Sequence, residues 1–249
     1  MYQARGSSDL QALKQLIEHL RVSFPTAGFV LMYKLLRRLK LSYSRAQVRR
    51  AYVQMGILGK KAPPRVRTTD SRHEHERYPN ILKDLAVEEP DQVWVADTTE
   101  FKAGGRTTYL ALLEDVYTRR VVGYALSHSN NTQLTLEALE MALRSGTPQI
   151  HHSDQGNTYA SGGYTRRLLN LGVVLSMAAV GCAWENGYAE RLNRTFKEEE
   201  ILRSEYNSLS EARACIQAYV KLYNESRLHM SLGYITPKEA HDEFLRRAS

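Results

Sequence analysis

A chain of 249 residues, 43% hydrophobic and 24% charged, has the composition of a soluble globular protein with room for one sizeable core, or for a small module joined to an ordinary domain. No apolar run approaches the roughly 18 residues of a membrane span, the start lacks an apolar signal core, and Cys182 and Cys215 lie far apart with no CxxC pairing; these features argue against a membrane protein, an exported protein, a disulfide framework and a cysteine zinc site. The net charge of +7 is concentrated at the front, where residues 1–85 hold 17 basic and 6 acidic side chains and the stretch from His19 to Thr69 holds twelve Lys or Arg and no acid. Counterion release from a polyanion is the natural use of such a segment.

The first predicted helix lies in "SSDLQALKQLIEHLRVSF", with a Ser/Asp cap and Leu10, Leu13, Ile17 and Leu20 at helical spacing. A second covers 28–40. A third follows a turn within 41–56, with Ser44 as N-cap, Gly56 as stop, and Val48, Ala51, Tyr52 and Met55 on one face. Arg45, Arg49 and Arg50 lie away from that face. Two helices joined by a tight turn, the second Arg-rich, fit a helix-turn-helix, with a plain three-helix bundle as the alternative. Residues 59–80 have prolines, charges and no periodicity, and read as a linker. His73 and His75 in it have no third ligand nearby and read as solvated.

The body then changes character. "DQVWVADTTEF" (91–101) alternates as a strand with Val93, Val95, Asp97, Thr99 and Phe101 on one face, and 107–118 and 119–128 follow as strands, with Gly104-Gly105 in the first connection. A helix over 132–145, a strand over 148–154, a helix over 164–172 and a strand over 173–177 come next, then a polar helix over 185–203 and two closing helices near 208–224 and 237–247. Three strands followed by alternating helix and strand predict an α/β sheet with mixed pairing. The predicted division is 1–60 helix-turn-helix, 61–87 basic linker, 88–205 catalytic core and 206–249 C-terminal helical extension.

Three carboxylates stand out. Asp97 lies within a strand whose same-face neighbours are mostly apolar, where an unpaired carboxylate pays several kcal/mol of desolvation; it therefore needs an exposed strand edge, a base or a cation. Asp154 ends a strand in "HHSDQG", where Gln-Gly makes a turn. Glu190 shares a helical stripe with Asn186, Asn193, Arg194 and Lys197 that carries little apolar content. Hard cations such as Mg²⁺ take oxygen ligands, so three converging carboxylates are sufficient. Spacing alone does not establish this, because 27 acidic residues supply many such triples. His151 and His152, just before Asp154, are expected to be structural, and Trp94 and Trp184 to be packing residues.

The segments "DQVWVADTTEF", "HSDQGNTYAS", "ENGYAERLNRTFKEE" and "YNESRLHMSLGYITPKEA" resemble the integrase-core transposases of bacterial insertion sequences, most of all insertion sequence family three, whose transposase is encoded in two overlapping frames. That family separates its last two acids by 35 residues and places a Lys or Arg seven after the Glu; here 35 residues separate Asp154 from Glu190, and Lys197 is seven further on. The resemblance covers roughly 88–240, and 25–36 and 41–56 resemble the family's helix-turn-helix. The chain departs from the pattern at Ala178-Ala179-Val180-Gly181, where a basic stretch is usual, at Glu185-Asn186-Gly187, and at Leu228 and Met230.

The resemblance implies a ribonuclease-H-like integrase core, a mixed five-stranded sheet with flanking helices, preceded by a small all-α helix-turn-helix module. It also implies a DDE triad of Asp97, Asp154 and Glu190 holding two Mg²⁺ ions (Mn²⁺ as substitute), and cleavage and strand transfer on double-stranded DNA, at element ends and target. Asn186, Arg194 and Lys197 are expected to contact DNA near the triad, and Arg45, Arg49 and Arg50 to dock the duplex, more through phosphates than base edges. A homo-multimer on DNA, an upstream-frame partner product and a bacterial cytoplasmic, nucleoid-associated location follow from the same resemblance. A catalytically silent DNA-binding repressor or partner of this fold, and a nuclease that cuts without joining, are the alternatives.

Overall fold

The computed structural model describes residues 2–58, 76–83, 85–179 and 182–248. Most of the expected linker, with His73 and His75, and Val180 and Gly181 lie outside the described residues. The chain divides into two compact units, Met1–Arg67 with Arg227–Ile235, and Thr68–Ser226 with Thr236–Ser249.

The first unit contains α1 (Tyr2–Ser23), α2 (Phe29–Arg38) and α3 (Arg45–Gln54). Helix α1 starts ahead of the Ser/Asp pair expected to cap it. Leu13 and Ile17 of α1, Met32, Leu35 and Leu36 of α2 and Val48, Ala51 and Tyr52 of α3 form the buried core, completed by Leu228 from the far end of the sequence. The turn between α2 and α3 is built by hydrogen bonding at both ends. Lys40 adopts a left-handed φ of 59°, and Lys40 and Leu41 donate backbone N–H groups to the Arg37 and Leu36 carbonyls, which closes α2 in a Schellman motif. Ser44 then opens α3 with a capping box: its Oγ accepts from Gln47 N at 3.2 Å, and Gln47 Oε1 accepts from Ser44 N at 2.8 Å. Tyr52 Oη donates to the Ala27 carbonyl at 2.6 Å, fixing α3 against the turn before α2.

The second unit is built on a five-stranded sheet in the order β3-β2-β1-β4-β5. Strands β1 (Val93–Ala103), β2 (Arg106–Asp115) and β3 (Val121–Ser127) form an antiparallel meander; β4 (Ile150–Ser153) and β5 (Val174–Met177) add parallel strands on the other side of β1. The β1–β2 hairpin needs two residues with positive φ, and Gly104 and Gly105 supply them at 57° and 71°. The next turn is pinned by Asp115, whose Oδ1 accepts from Thr118 N and Thr118 Oγ1 at 2.7 and 2.5 Å. That turn occupies residues that the pattern alone assigned to the two flanking strands.

Helices cover both faces. On one, α4 (Thr132–Ala142), α5 (Asn157–Ala160) and α6 (Gly162–Leu169) pack their Leu134, Ala138, Leu139, Tyr159, Tyr164 and Leu168 on Trp94, Ala96, Ala111 and Leu113. Contact is close at Gly123, where a Cβ would meet the Ala138 carbonyl and Ala142 Cβ. On the other, α7 (Gly187–Glu199) and α8 (Leu209–Glu225) lay Leu192, Phe196, Ala212, Ile216, Tyr219 and Tyr223 over Phe101, Leu110, Leu112 and Leu126. Helix α9 (Pro237–Ala248) follows. The single polar helix expected over 185–203 is instead a 3-10 turn (Ala183–Asn186), α7, and a second 3-10 turn (Ile201–Arg203). Among the described residues no helix is long and apolar enough to cross a membrane.

Candidate active site

The sheet register sets two acids side by side. Strands β1 and β4 run parallel with Ala96 opposite Ser153, so Asp97 is the next residue of β1 and Asp154 the first residue after β4. Because β1 is the central strand, Asp97 does not reach solvent at a sheet edge, one of the three outcomes open to it from sequence. It lies on the face covered by α7, whose first turn carries Glu190. A carboxylate there interacts favourably with the positive end of the helix.

Asp97 is half-buried, and its carboxyl is pushed up to about 7. Desolvation is the main cause, followed by repulsion from Asp154, with a smaller push from Glu190; hydrogen bonds from Thr98 N (2.8 Å, to Oδ1) and Asn193 Nδ2 (2.8 Å, to Oδ2) oppose it. Asp97 therefore feels the negative charge of both Asp154 and Glu190. Asp154 is held by its own turn, with Oδ1 accepting from Gly156 N at 2.9 Å. Behind the pair, Tyr159 Oη is 3.0 Å from Thr98 Oγ1, and burial holds its phenol well above its ordinary range, with the charges of Asp97 and Asp154 adding to the rise.

The donor set fits a hard divalent cation. All three acids offer oxygen, the repulsion of Asp97 by the other two is what a cation relieves, and Asn193 Oδ1 is buried beside Asp97 with no hydrogen-bond partner. Among the described residues, however, no group of three or more His, Cys, Asp or Glu side chains stands as a ready-formed metal site.

The other expected residues are placed as follows. Asn186 is turned inward: its side chain is buried and Nδ2 donates to the Ala96 carbonyl at 3.0 Å, bracing the start of α7 to the strand just before Asp97. Arg194 is exposed and Lys197 half-exposed; Lys197 lines a pocket of about 450 Å³ with Glu100, Lys102, Glu205 and Tyr206. Arg45, Arg49 and Arg50 are exposed on α3, Arg45 with its guanidinium 5.6 Å from the Phe29 ring centre. His151 and His152 are buried; His151 Nε2 is 2.9 Å from Tyr164 Oη and His152 Nδ1 is 2.8 Å from Ser176 Oγ. Burial pushes them down to about 3 and about 4, so both stay neutral.

Trp94 is fully buried, but Trp184 is 72% exposed and is not a packing residue. Sequence reasoning also gave no role to Asn193 or Tyr159. Asn193 could have been found, since it sits one turn after Glu190 in the same stripe; Tyr159 could not, because only the tertiary contact with Thr98 brings it to the acids.

A mixed sheet ordered 3-2-1-4-5 between helical layers, with acids at adjacent central strands and on a covering helix, defines the integrase-core class of fold. The integrase core domain family matches residues 87–182 and 171–237. The chain is 33% identical over 215 residues to the transposase for insertion sequence element IS629 of Shigella sonnei, covering 86% of this chain and 73% of the relative. It is 31% identical over 217 residues to the putative transposase InsK for insertion sequence element IS150 of Escherichia coli (strain K12), covering 83% and 77%. The chain belongs to the integrase-core transposases of insertion sequences. Among solved structures, it shares the fold of the magnesium-bound integrase catalytic core of HTLV-2, with a TM-score of 0.50 and 18% identity over 61% of this chain and 97% of the other. A simian T-cell lymphotropic virus intasome chain matches with a TM-score of 0.53 at 15% identity, over 90% of this chain and 73% of the other.

Proposed function

We propose that this DNA transposase works through Asp97, Asp154 and Glu190, and that these acids bind Mg²⁺ while a phosphodiester is cut and rejoined at an element end. The observation that carries the reading is the β1–β4 register, which puts Asp97 beside Asp154 on the face covered by the helix of Glu190. Asp97, Asp154 and Glu190 would hold the divalent cations, two in the full reading with Mn²⁺ able to replace Mg²⁺, and when bound these would supply activation of an attacking oxygen and stabilisation of a leaving oxygen.

The chain's own residues do the positioning. Asn193 and the Thr98 amide hold the Asp97 carboxylate by one oxygen each, and Gly156 N fixes Asp154. Arg194 and Lys197, one and two turns after Glu190, are placed to take backbone phosphates as charged donors. Asn186 serves as a brace for α7 rather than as a DNA contact. A water oxygen attacks the phosphorus and the bond to the 3′-oxygen breaks; the 3′-hydroxyl freed then attacks a target phosphorus, whose own bond to a 3′-oxygen breaks as the new ester forms. No covalent protein intermediate is required, so no Ser or Tyr nucleophile is assigned.

Residues 1–60 supply the DNA-docking helices, with Arg45, Arg49 and Arg50 on the exposed side of α3. The linker precedes Leu82, which packs with Val93, Val95 and Ala189; 88–205 is the catalytic core, and 206–249 its extension apart from Arg227–Ile235, which fall in the compact unit of α1–α3. The working form is a homo-multimer joining two element ends, with an upstream-frame product as a further partner, in the bacterial cytoplasm and on the nucleoid.

The test uses labelled DNA carrying the element's own ends, with Mg²⁺ or Mn²⁺, and compares the protein with Glu190→Gln, which keeps shape and removes charge. Metal-dependent cleavage and joining that disappear in the variant support the reading. Equal activity in both removes Glu190 from the site.

A further inference from the structure

Trp184 is the largest apolar side chain left in solvent among the described residues, and the two residues after it are hydrogen-bonded into the fold. The residue after it, Glu185, accepts from Ala179 N at 2.8 Å and from Asn80 Nδ2 at 3.0 Å; the next, Asn186, donates to the Ala96 carbonyl, one residue before Asp97. Glu185 is held ionised by these bonds, its carboxyl lowered first by the Ala179 amide and then by Asn80. Trp184 therefore projects from a turn tied to the floor of the acidic site, with no core to fill.

Its surroundings suit nucleic acid. Tyr188, one helical turn on, is partly exposed and carries the Arg119 guanidinium 4.2 Å from its ring centre, and Arg191 is exposed on the same helix. Glu114 attracts both arginines, but it is buried, and its carboxyl is raised to about 7 mainly by desolvation. The surface beside Trp184 thus pairs aromatic faces with cations. Each nucleobase has a π-face for an indole, and base–aromatic stacking is tolerant of sequence.

We propose that Trp184 is the stacking platform for an unpaired nucleobase at the DNA end presented to Asp97, Asp154 and Glu190. This rests on the function proposed above. Asp97 is half-buried, and a phosphodiester reaches it more readily from an opened duplex end than from a fully paired one. An exposed indole beside the site holds the separated base, while Arg119 and Arg191 attract the backbone.

The experiment uses the full chain with Glu190→Gln, so that nothing is cut, in Mg²⁺. The probe is a duplex end with a 2-aminopurine in an unpaired terminal position, whose emission falls on stacking. The expected result is saturable quenching that is lost in Trp184→Ala and partly kept in Trp184→Phe, with affinity for the opened end about 5- to 100-fold weaker in the Ala variant. Indole emission gives a second readout, because Trp94 is buried and a change on DNA addition reports Trp184. Equal quenching and affinity with and without Trp184 overturn the proposal. The readout is binding, and a denaturing gel shows whether the probe stays intact, so quenching on an uncut probe is read apart from whether Glu190 carries the chemistry.

Discussion

Asn193 on α7 donates its side-chain amide to Asp97 Oδ2 on β1 at 2.8 Å, hydrogen-bonding the helix of Glu190 to the carboxylate of the central strand. One bond therefore does two things. It orients Asp97 by holding one oxygen, and it fixes the helix that places Glu190 opposite.

Removing the donor tests both. Asn193→Ala frees Asp97 Oδ2 and is expected to raise the half-saturating Mg²⁺ concentration for cleavage by roughly 10- to 100-fold, the usual cost of losing an outer-shell partner. Raising the metal concentration restores most of the rate, which a collapse of the fold does not allow. A rate that stays low at saturating Mg²⁺, with unchanged half-saturation, defeats this account of Asn193.

A buried acid outside the site sets a pH dependence. Glu114 is raised from 4.5 to about 7, by desolvation first, with Arg119 opposing and Asp115 adding to the rise. Between those values the folded protein holds a proton that the unfolded chain has released, so stability falls as pH rises through the window. Glu114→Gln removes the cost of ionisation. Its melting temperature is expected to match that of the parent below about pH 4 and exceed it above about pH 8, by about 1–3 kcal/mol of stability. A difference that does not change with pH shows that Glu114 ionises at its ordinary value.

The fold was legible where one property decides the structure. Strand alternation around Asp97, the Gly104-Gly105 hairpin and the apolar face of α3 each follow from local pattern. The partner of each strand does not. Nothing within "HHSDQG" says that β4 lies against β1, and that parallel register is what juxtaposes Asp97 and Asp154. Helix α7 was misjudged for a related reason. Leu192 and Phe196 make a full core face, but the charges around them hid it, and Asn193 on its edge looked like one more polar residue. Trp184 was misplaced because an indole is normally worth burying; here Glu185 and Asn186 take the turn's hydrogen bonds and leave the ring outside.

The helical module makes a separate prediction, read in salt. Arg49 and Arg50 are exposed on α3, whose other side supplies Val48, Ala51 and Tyr52 to the core, so changing either leaves the packing intact. If each neutralises a phosphate, the slope of log binding constant against log salt on duplex ends becomes shallower by about 0.9 per residue replaced by Ala. Phosphate contacts weaken binding about equally on every sequence, whereas base-edge contacts cost about 1–3 kcal/mol on the matched end alone. The expected outcome for Arg49→Ala and Arg50→Ala is the first: a shallower slope with discrimination between ends preserved. Ser44→Ala separates these effects from helix loss, since it removes the capping box at a cost of about 1 kcal/mol of stability without touching charge. An unchanged slope in both arginine variants takes the docking role away from α3.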